Sequence, residues 1–299
     1  MISSVCQRWG LGRDAYRPAG EVVDTRSLEV APITSDSEAR AFVERHHYSK
    51  SYPAARYRFG LYAKRLAAPY AWSIGTRHER HLVGVAVFSH PSNTLALRPL
   101  PLEAQRPDRE ETPLTHDATW CPSVELGRFV LLDREVAPEV GANAETWFLA
   151  RIFELLKREG LAGVVSFSDP YRRTTADGRD VFAGHVGTIY QAHNAVYLGQ
   201  ARTDTARFLP DGKTLHNRSV AKLRGCERGW RYVVEQLVAY GANAPSSSED
   251  MAAWTERWVA RLTRTVRKPG NHKYVWAFER ALKRSLPQSL PYPKLLEAA

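Results

Sequence analysis

An α/β fold of the α+β kind, ending in a basic and mostly helical C-terminal extension, is predicted by three features of the 299-residue sequence. The first is a strand, helix, strand order in its middle. The second is a series of short apolar runs of strand character on either side. The third is a final third in which helical patterns and positive charge prevail.

The middle unit opens with Val124-Glu-Leu-Gly-Arg-Phe-Val-Leu-Leu132, whose length and β-branched or aromatic content indicate a buried strand. After the turn Pro138-Glu-Val-Gly-Ala-Asn143, the residues Phe148, Ile152, Leu155 and Leu156 recur at helical spacing. Asn143 is placed as the N-cap of this helix and Gly160 as its stop. Gly163-Val-Val-Ser-Phe-Ser-Asp169 then reads as a second strand ending in polar residues. The order predicts a βαβ unit with a right-handed crossover. The first amides of such a helix lack intrahelical partners and sit at its positive end, so Gly141, Ala142 and Asn143 form a candidate phosphate site. The structural alternative is that Gly141 only makes a strand-to-helix turn.

Taking the chain in order, residues through Thr25 mix Arg, Gly and Pro without periodicity and predict an irregular arm. Ser27-Leu-Glu-Val-Ala31 alternates as a strand does. Ser35-Asp-Ser-Glu38 is a capping box that starts a helix with Ala39, Phe42, Val43 and His46 on one face. The helix runs into Arg45-His-His-Tyr-Ser-Lys50, which gathers imidazoles, a phenol, a hydroxyl and an ammonium group in a few residues. Of these, His46 is read as packed on the apolar face, and His47 and Tyr48 as functional. Arg58–Tyr62, Ala71–Gly75 and Leu82–Phe88 read as strands, and Ser92–Trp120 as a long surface loop. Beyond Asp169 a polar, exposed insertion leads to a short helix over Gly187–Asn194. A strand Ala195–Gly199 follows, with Thr205–Leu209 as its partner.

In the final third, Tyr232–Tyr240 and Met251–Leu262 carry helix patterns. Trp254 and Trp258 are expected in a core, and Pro245-Ser-Ser-Ser248 is the best linker candidate. The run Arg264–Trp276 interleaves cations with aromatics as nucleic-acid surfaces do. From Ala201 to Ala299 there are eighteen Lys and Arg against nine Asp and Glu, so +9 of the chain's +10 lies here. A basic surface this concentrated predicts a polyanionic partner, nucleic acid first, against a solvated basic face of no specific use. No apolar run approaches the ~20 residues of a membrane span, and the N-terminal residues lack a signal-peptide pattern. Cys6, Cys121 and Cys226 are isolated, which supports neither a disulfide framework nor a cysteine metal site.

Several separate motifs stand in a telling order. They are His47-Tyr48-Ser49, Glu125-Leu-Gly-Arg128, Asn143-Ala-Glu145, Ser166-Phe-Ser-Asp169, Gly184-His-Val-Gly-Thr-Ile-Tyr-Gln-Ala192 with Asn194, and Tyr197-Leu-Gly199. Together they resemble the Mom family of phage DNA-modification proteins, within the GNAT acetyltransferase superfamily, over roughly Leu28 to Gly199. The resemblance implies a GNAT-like mixed twisted sheet flanked by helices. It implies a core over 27–212, preceded by an arm over 1–26 and followed by a basic DNA-contacting extension over 213–299. The implied activity is transfer of a carbamoylmethyl (acetamido) group to the N6 amine of adenine in DNA, in a bacterial cytoplasm, which shields phage or prophage DNA from restriction. The implied donor is acetyl-CoA or a related acyl-CoA, held by Phe129, Val130, Gly141, Ala142 and Asn143. Iron is a further cofactor to consider, with no ligand set written in the sequence. One departure is that Pro138 and Asn143 stand where the superfamily's pyrophosphate loop has a cation and a small residue.

Reaction at an exocyclic amine requires the base to leave the stack. On this reading Tyr48 or Tyr190 supports the extruded base or protonates a leaving group. His47 or Asp169 accepts a proton, and Ser168 completes the catalytic set. Arg128 and His185 bind phosphate or the donor carbonyl, while Lys50, Arg264, Lys268 and Lys273 contact DNA. Each has a structural alternative: Arg128 pairs with Glu125 or Asp133, Asp169 caps a turn, and Tyr190 fills the core. Two rival functions remain open at this level. One is an acyl-CoA-dependent acyltransferase acting on a small amine or transfer RNA, and the other a non-catalytic nucleic-acid-binding module.

Overall fold

The computed structural model describes residues 23–66, 76–77, 80–91, 93–103, 120–133, 136–141 and 143–294. Most of the expected N-terminal arm, the Ala71–Gly75 strand, Ala142 and much of the 92–120 segment lie outside the described residues. In chain order the elements are β1 (Leu28–Pro32), α1 (Asp36–His46), β2 (Ala55–Ala63), β3 (Thr76–Arg77) and β4 (Arg80–Ser89), then a 3-10 turn, Thr94–Leu97. Next come β5 (Ser123–Leu131), α2 (Ala144–Arg158), β6 (Gly163–Ser168), β7 (Arg173–Thr174), β8 (Asp180–Phe182), α3 (Thr188–Ala192) and β9 (Val196–Gln200). The last are β10 (Asp204–Phe208), β11 (Thr214–Leu215), α4 (Asn217–Arg224), α5 (Arg231–Ala239), α6 (Met251–Leu262), β12 (Arg264–Lys268), β13 (His272–Ala277) and α7 (Arg280–Ser285). By contacts the chain divides into two units. The larger holds the described residues up to Asp169, then His185–Gln200 and those from Asn271 onward; the smaller holds Pro170–Gly184 and Ala201–Gly270.

The larger unit is built on a mixed sheet in the order β1-β2-β4-β5-β6-β13-β9, with β3 beside β4. Among the described residues its one parallel pair is β5 with β6, as the strand, helix, strand order requires. The pairing runs from Ser123 opposite Gly163 to Leu126 opposite Ser166 and stops there. Beyond that point β5 continues against β4 as far as Leu131, and β6 against β13 as far as His272. The two halves of the sheet therefore part beyond Leu126. Gly127 is the extra residue of a bulge, since Val87 faces Arg128 and Phe88 faces Leu126.

The helices follow their apolar faces. In α1 the Ser35 hydroxyl accepts from the Glu38 amide at 3.3 Å, and Ala39, Phe42, Val43 and His46 are buried. In α2, Phe148, Leu149, Ile152 and Leu156 are fully buried, with Phe148 against Phe129 at 5.7 Å. Gly160 ends the helix at φ +82°. Asn143 does occupy the N-cap position, but at φ +64° its side chain makes no capping bond. A left-handed residue aims its side chain away from the first helical amides.

Three expectations change. The Ala195–Gly199 strand does not pair with Thr205–Leu209: β9 pairs with β13, and β10 with β11 and β12 of the smaller unit. Tyr197 packs on Tyr274 at 5.2 Å while Ala206 and Phe208 are buried in the other unit, so side-chain burial overrides adjacency in the chain. The Arg264–Trp276 run is two strands in two different sheets, and its aromatics Tyr274 and Trp276 are buried in the larger core rather than free to stack on bases. Within the expected 92–120 loop, Leu97 and Leu100 are buried against Val165 and Val275.

The smaller unit carries a three-stranded sheet in the order β11-β10-β12, the β7–β8 hairpin and helices α4, α5 and α6. Its core gathers Leu215, Leu223, Val233, Leu237, Trp254 and Trp258, in keeping with the reading of both tryptophans. The Trp254 indole donates to the Asn243 carbonyl at 3.0 Å. Pro245–Ser248 lies between α5 and α6 inside this unit, so it links helices rather than domains.

Candidate active site

The chain leaving α1 is held by its own polar groups. His47 adopts an extended conformation at the helix end, and its amide still donates to the Val43 carbonyl at 2.8 Å. Its ring is buried, with Nδ1 accepting from the Ser49 amide at 3.1 Å and lying 2.8 Å from the Ser49 hydroxyl. An amide can only donate, so Nδ1 presents its lone pair, and the neutral ring carries its proton on Nε2. Lys50, at φ +49°, turns its ammonium back to the Arg45 carbonyl at 2.5 Å. Arg128 reaches across from β5, donating from Nε to the Ser51 carbonyl and from Nη2 to the Ser51 hydroxyl, both at 2.7 Å, and from Nη1 to the Gly127 carbonyl at 2.5 Å. Arg128 thus anchors the loop that carries His47 and Tyr48.

Around this loop the predicted residues meet. The Tyr48 ring lies 4.2 Å from His47 and edge-on to His185 at 6.1 Å, and His185 stands 6.4 Å from Tyr190. The His185 amide donates to the Asp169 carbonyl at 2.9 Å, which places Asp169, just past β6, beside the same loop. Three stretches of chain, His47–Tyr48, Asp169 and His185–Tyr190, are thus brought together, with Asp169 joined through its backbone. Gly187 makes the approach feasible. At φ +77°, a Cβ there would lie 2.7 Å from the Tyr274 ring and 2.9 Å from Tyr190.

Electrostatics separate the roles these groups can take. Tyr190 is buried, and burial pushes its phenol well above the ordinary value, with the neighbouring Ser166 hydroxyl offsetting only part of this. It is a proton donor, not a base. The Ser166 hydroxyl donates to the Leu126 carbonyl at 3.0 Å, at the last pair before the sheet parts. Ser168 is fully buried beside the Tyr274 phenol. His46 packs on Phe42 at 4.8 Å. Burial first, then Arg45 and Lys50, hold it down to about 4, so it is neutral and structural as expected.

Residues not singled out from the sequence also belong here. The Tyr274 hydroxyl donates to the Val186 carbonyl, and the Gln191 amide donates to that carbonyl at 3.0 Å and to the Tyr274 oxygen at 3.1 Å. These two side chains fix the backbone next to His185. Burial raises the Glu125 carboxyl while Arg128 opposes the rise, and Glu125 acts electrostatically on Tyr190. The Glu125-Leu-Gly-Arg128 motif was a signal for Glu125. Tyr274 was visible only as part of a basic, aromatic run.

The expected donor site is differently made. Phe129 and Val130 are buried on β5 beyond the end of its pairing with β6, opposite Ala86 and Val85 of β4. The Gly141 amide turns back to the Glu139 carbonyl at 3.0 Å. Glu139, Asp133 and Glu145 are all buried nearby in sequence, with Glu145 in the first turn of α2 and Glu139 accepting from Arg65 Nε at 3.2 Å. Glu145 brings a carboxyl group to the positive end of the helix, which disfavours a pyrophosphate at that tip. Among the described residues no three or more His, Cys, Asp or Glu side chains lie close enough to hold a metal ion together, so none is assigned to iron. The remaining predicted contacts are dispersed. Arg264 and Lys268 lie on β12 in the smaller unit, whereas Lys273, on β13, donates its ammonium to the Arg98 carbonyl.

A family model described as the Mom protein family matches residues 27–294, a range that includes every residue of the ring cluster. The chain belongs to the Mom protein family. Mom membership makes it a phage-type DNA-modifying enzyme, broadly a transferase. A search of curated protein sequences returns no match. Among its described residues no helix is long and apolar enough to cross a membrane.

Proposed function

We propose that the chain transfers a carbamoylmethyl group to the exocyclic N6 amine of an adenine in DNA, at the cluster of His47, Tyr48, Asp169, His185 and Tyr190. The product would shield phage DNA from restriction in the bacterial cytoplasm. The observation that carries this reading is the meeting of the His47, Tyr48, His185 and Tyr190 rings, with Asp169 bonded through its backbone to His185, in a chain whose family modifies DNA.

The adenine must be unstacked to expose N6. Tyr48, only partly buried, offers it a ring face. As the N6–C bond forms, N6 sheds a proton to the Asp169 carboxylate. His47 through Nε2–H and Tyr190 through its phenol are donors toward the negative charge that develops on the departing group. The His185 backbone is tied to that of Asp169, and the Tyr274–Val186 bond fixes the residue after it. An acetyltransferase-type scaffold is supported by the parting of β5 from β6, which leaves the Phe129 and Val130 edge of β5 without a β6 partner. The donor must present the group as X–CH2–C(O)NH2, so that the CH2–X bond breaks as the N6–CH2 bond forms and X leaves with the proton that His47 or Tyr190 supplies. The Glu145 carboxyl group in the first turn of α2 disfavours a pyrophosphate at the Asn143 tip.

Mass spectrometry of nucleosides from DNA of expressing cells tests this. The wild-type chain should yield a new adenosine derivative carrying the carbamoylmethyl mass, and Asp169→Ala should abolish it while the protein keeps its melting temperature. No adduct from the wild type, or a full yield from Asp169→Ala, would sink the reading. Acylation of free amines without DNA would favour the small-amine alternative.

A further inference from the structure

In the smaller unit, several cations on helices are tied to carboxylates. Arg218 meets Glu227, Arg224 meets Glu256 at 3.2 Å and Arg257 meets Glu249 at 3.0 Å. The β10–β12 pair differs. Among the described residues, Arg207, Arg264 and Arg267 have no carboxylate within ion-pair distance.

Register sorts these side chains by face. Arg207 lies opposite Thr265 and Thr205 opposite Arg267, and directly paired residues share a face of the sheet. Ala206 and Phe208, which alternate with them, are buried on the other side. One face of the β10–β12 ribbon thus presents two guanidinium groups and two threonine hydroxyls. Thr205, Thr265 and Arg267 are exposed and Arg207 is half-exposed. Arg207 is also oriented: its guanidinium donates to the Asn217 side chain, whose amide donates to the Thr205 carbonyl at 3.4 Å.

Charged residues on β12 alone have a plainer explanation, because β12 is an edge strand and charge protects edges from pairing with other chains. That explanation does not reach Arg207. It lies on β10, the central strand, where no edge needs guarding.

We infer that this ribbon face grips the sugar–phosphate backbone of DNA, with Arg207 and Arg267 as the phosphate contacts and Thr205 and Thr265 donating hydroxyls. Guanidinium forks and hydroxyls are the groups that bind phosphate oxygens, and such contacts position a duplex without reading its sequence. The inference rests on the reading above that DNA is the polymer acted on. It also shifts weight from Arg264 and Lys268, which pair with Phe208 and Asp204 and so project from the opposite face.

The test is fluorescence anisotropy of the full-length chain on a labelled DNA duplex across a range of salt. In Arg207→Gln/Arg267→Gln, affinity should fall on the order of tenfold, equally for unrelated sequences, and the log–log salt slope should shrink by about two. Arg207→Lys/Arg267→Lys should keep the slope. Arg224→Gln, whose cation is paired on a helix, should change little. Thermal unfolding confirms that each variant is folded. An unchanged slope in the Gln double variant, an equal loss in Arg224→Gln, or tighter binding of an RNA duplex of the same length overturns the inference. Adduct formation by the wild type is read separately. If the adduct forms and the slope is unchanged, only the ribbon assignment fails; if no adduct forms, the functional reading fails.

Discussion

The Ser49 amide donates to Nδ1 of His47 at 3.1 Å, and this bond decides which proton the ring can offer. With Nδ1 occupied as an acceptor, the neutral imidazole holds its hydrogen on Nε2. Nitrogen-15 spectra of His47 should therefore show a protonated Nε2 and an unprotonated Nδ1 at pH 7.5. If His47 acts as a donor, His47→Ala should lower turnover by about 10²-fold, and His47→Gln, which keeps an N–H, should lower it less. Equal losses would assign the ring to packing.

The second prediction concerns Arg128, whose bonds to Ser51 and Gly127 make it a positioning residue for the His47–Tyr48 loop. Arg128→Lys keeps the charge but loses the fork that spans the Ser51 carbonyl and hydroxyl. Turnover should drop severalfold to tenfold with DNA affinity unchanged. A matching loss of DNA affinity would instead make Arg128 a phosphate contact.

Tyr274→Phe removes the hydroxyl that donates to Val186 and accepts from Gln191. Gln191 still serves the Val186 carbonyl, so stability should fall by only about 1 kcal/mol. Turnover should fall further than that loss accounts for, because the backbone beside His185 is loosened. Denaturant unfolding and adduct yield, measured on the same preparation, separate the two effects.

His46 links the fold to pH. Its folded value of about 4 lies below the ordinary 6.5, so the unfolded chain binds more protons between these values and stability rises with pH across that window. The contribution is fully present above pH ~6.5 and is lost as the pH falls toward 4, on the order of 3 kcal/mol in all. Denaturation midpoints at pH 7.5 and pH 4.5 should differ less in His46→Leu than in the wild type. An identical pH dependence would show that His46 is not the group responsible.

Much of the core was legible because it is local. The α2 pattern of Phe148, Ile152 and Leu156, the Ser35 cap of α1 and the strand character of Val124–Leu132 each depend on residues within a few positions of one another. The same holds for His46, whose place on an apolar helix face already marked it as packed. Strand partnership was not legible. β9 looked ready to pair with the next strand, yet the Tyr197 hydroxyl bonds His272 Nδ1 at 2.7 Å, 75 residues away. Alternation of cations and rings in Arg264–Trp276 fits a nucleic-acid surface and a half-buried strand equally well, and only packing separates the two.

From sequence alone came the βαβ unit, helices α1, α5 and α6, the basic final third and the motif residues His47, Tyr48, Asp169, His185 and Tyr190, because short-range periodicity and side-chain chemistry are written residue by residue. Tertiary structure alone decided that these motifs meet, that Lys273 is spent on the Arg98 carbonyl, and that Arg207 shares a face with Arg267. The physical reason is range: those outcomes depend on which distant surfaces exclude water together and on strand register, and neither is encoded in the spacing of neighbours along the chain.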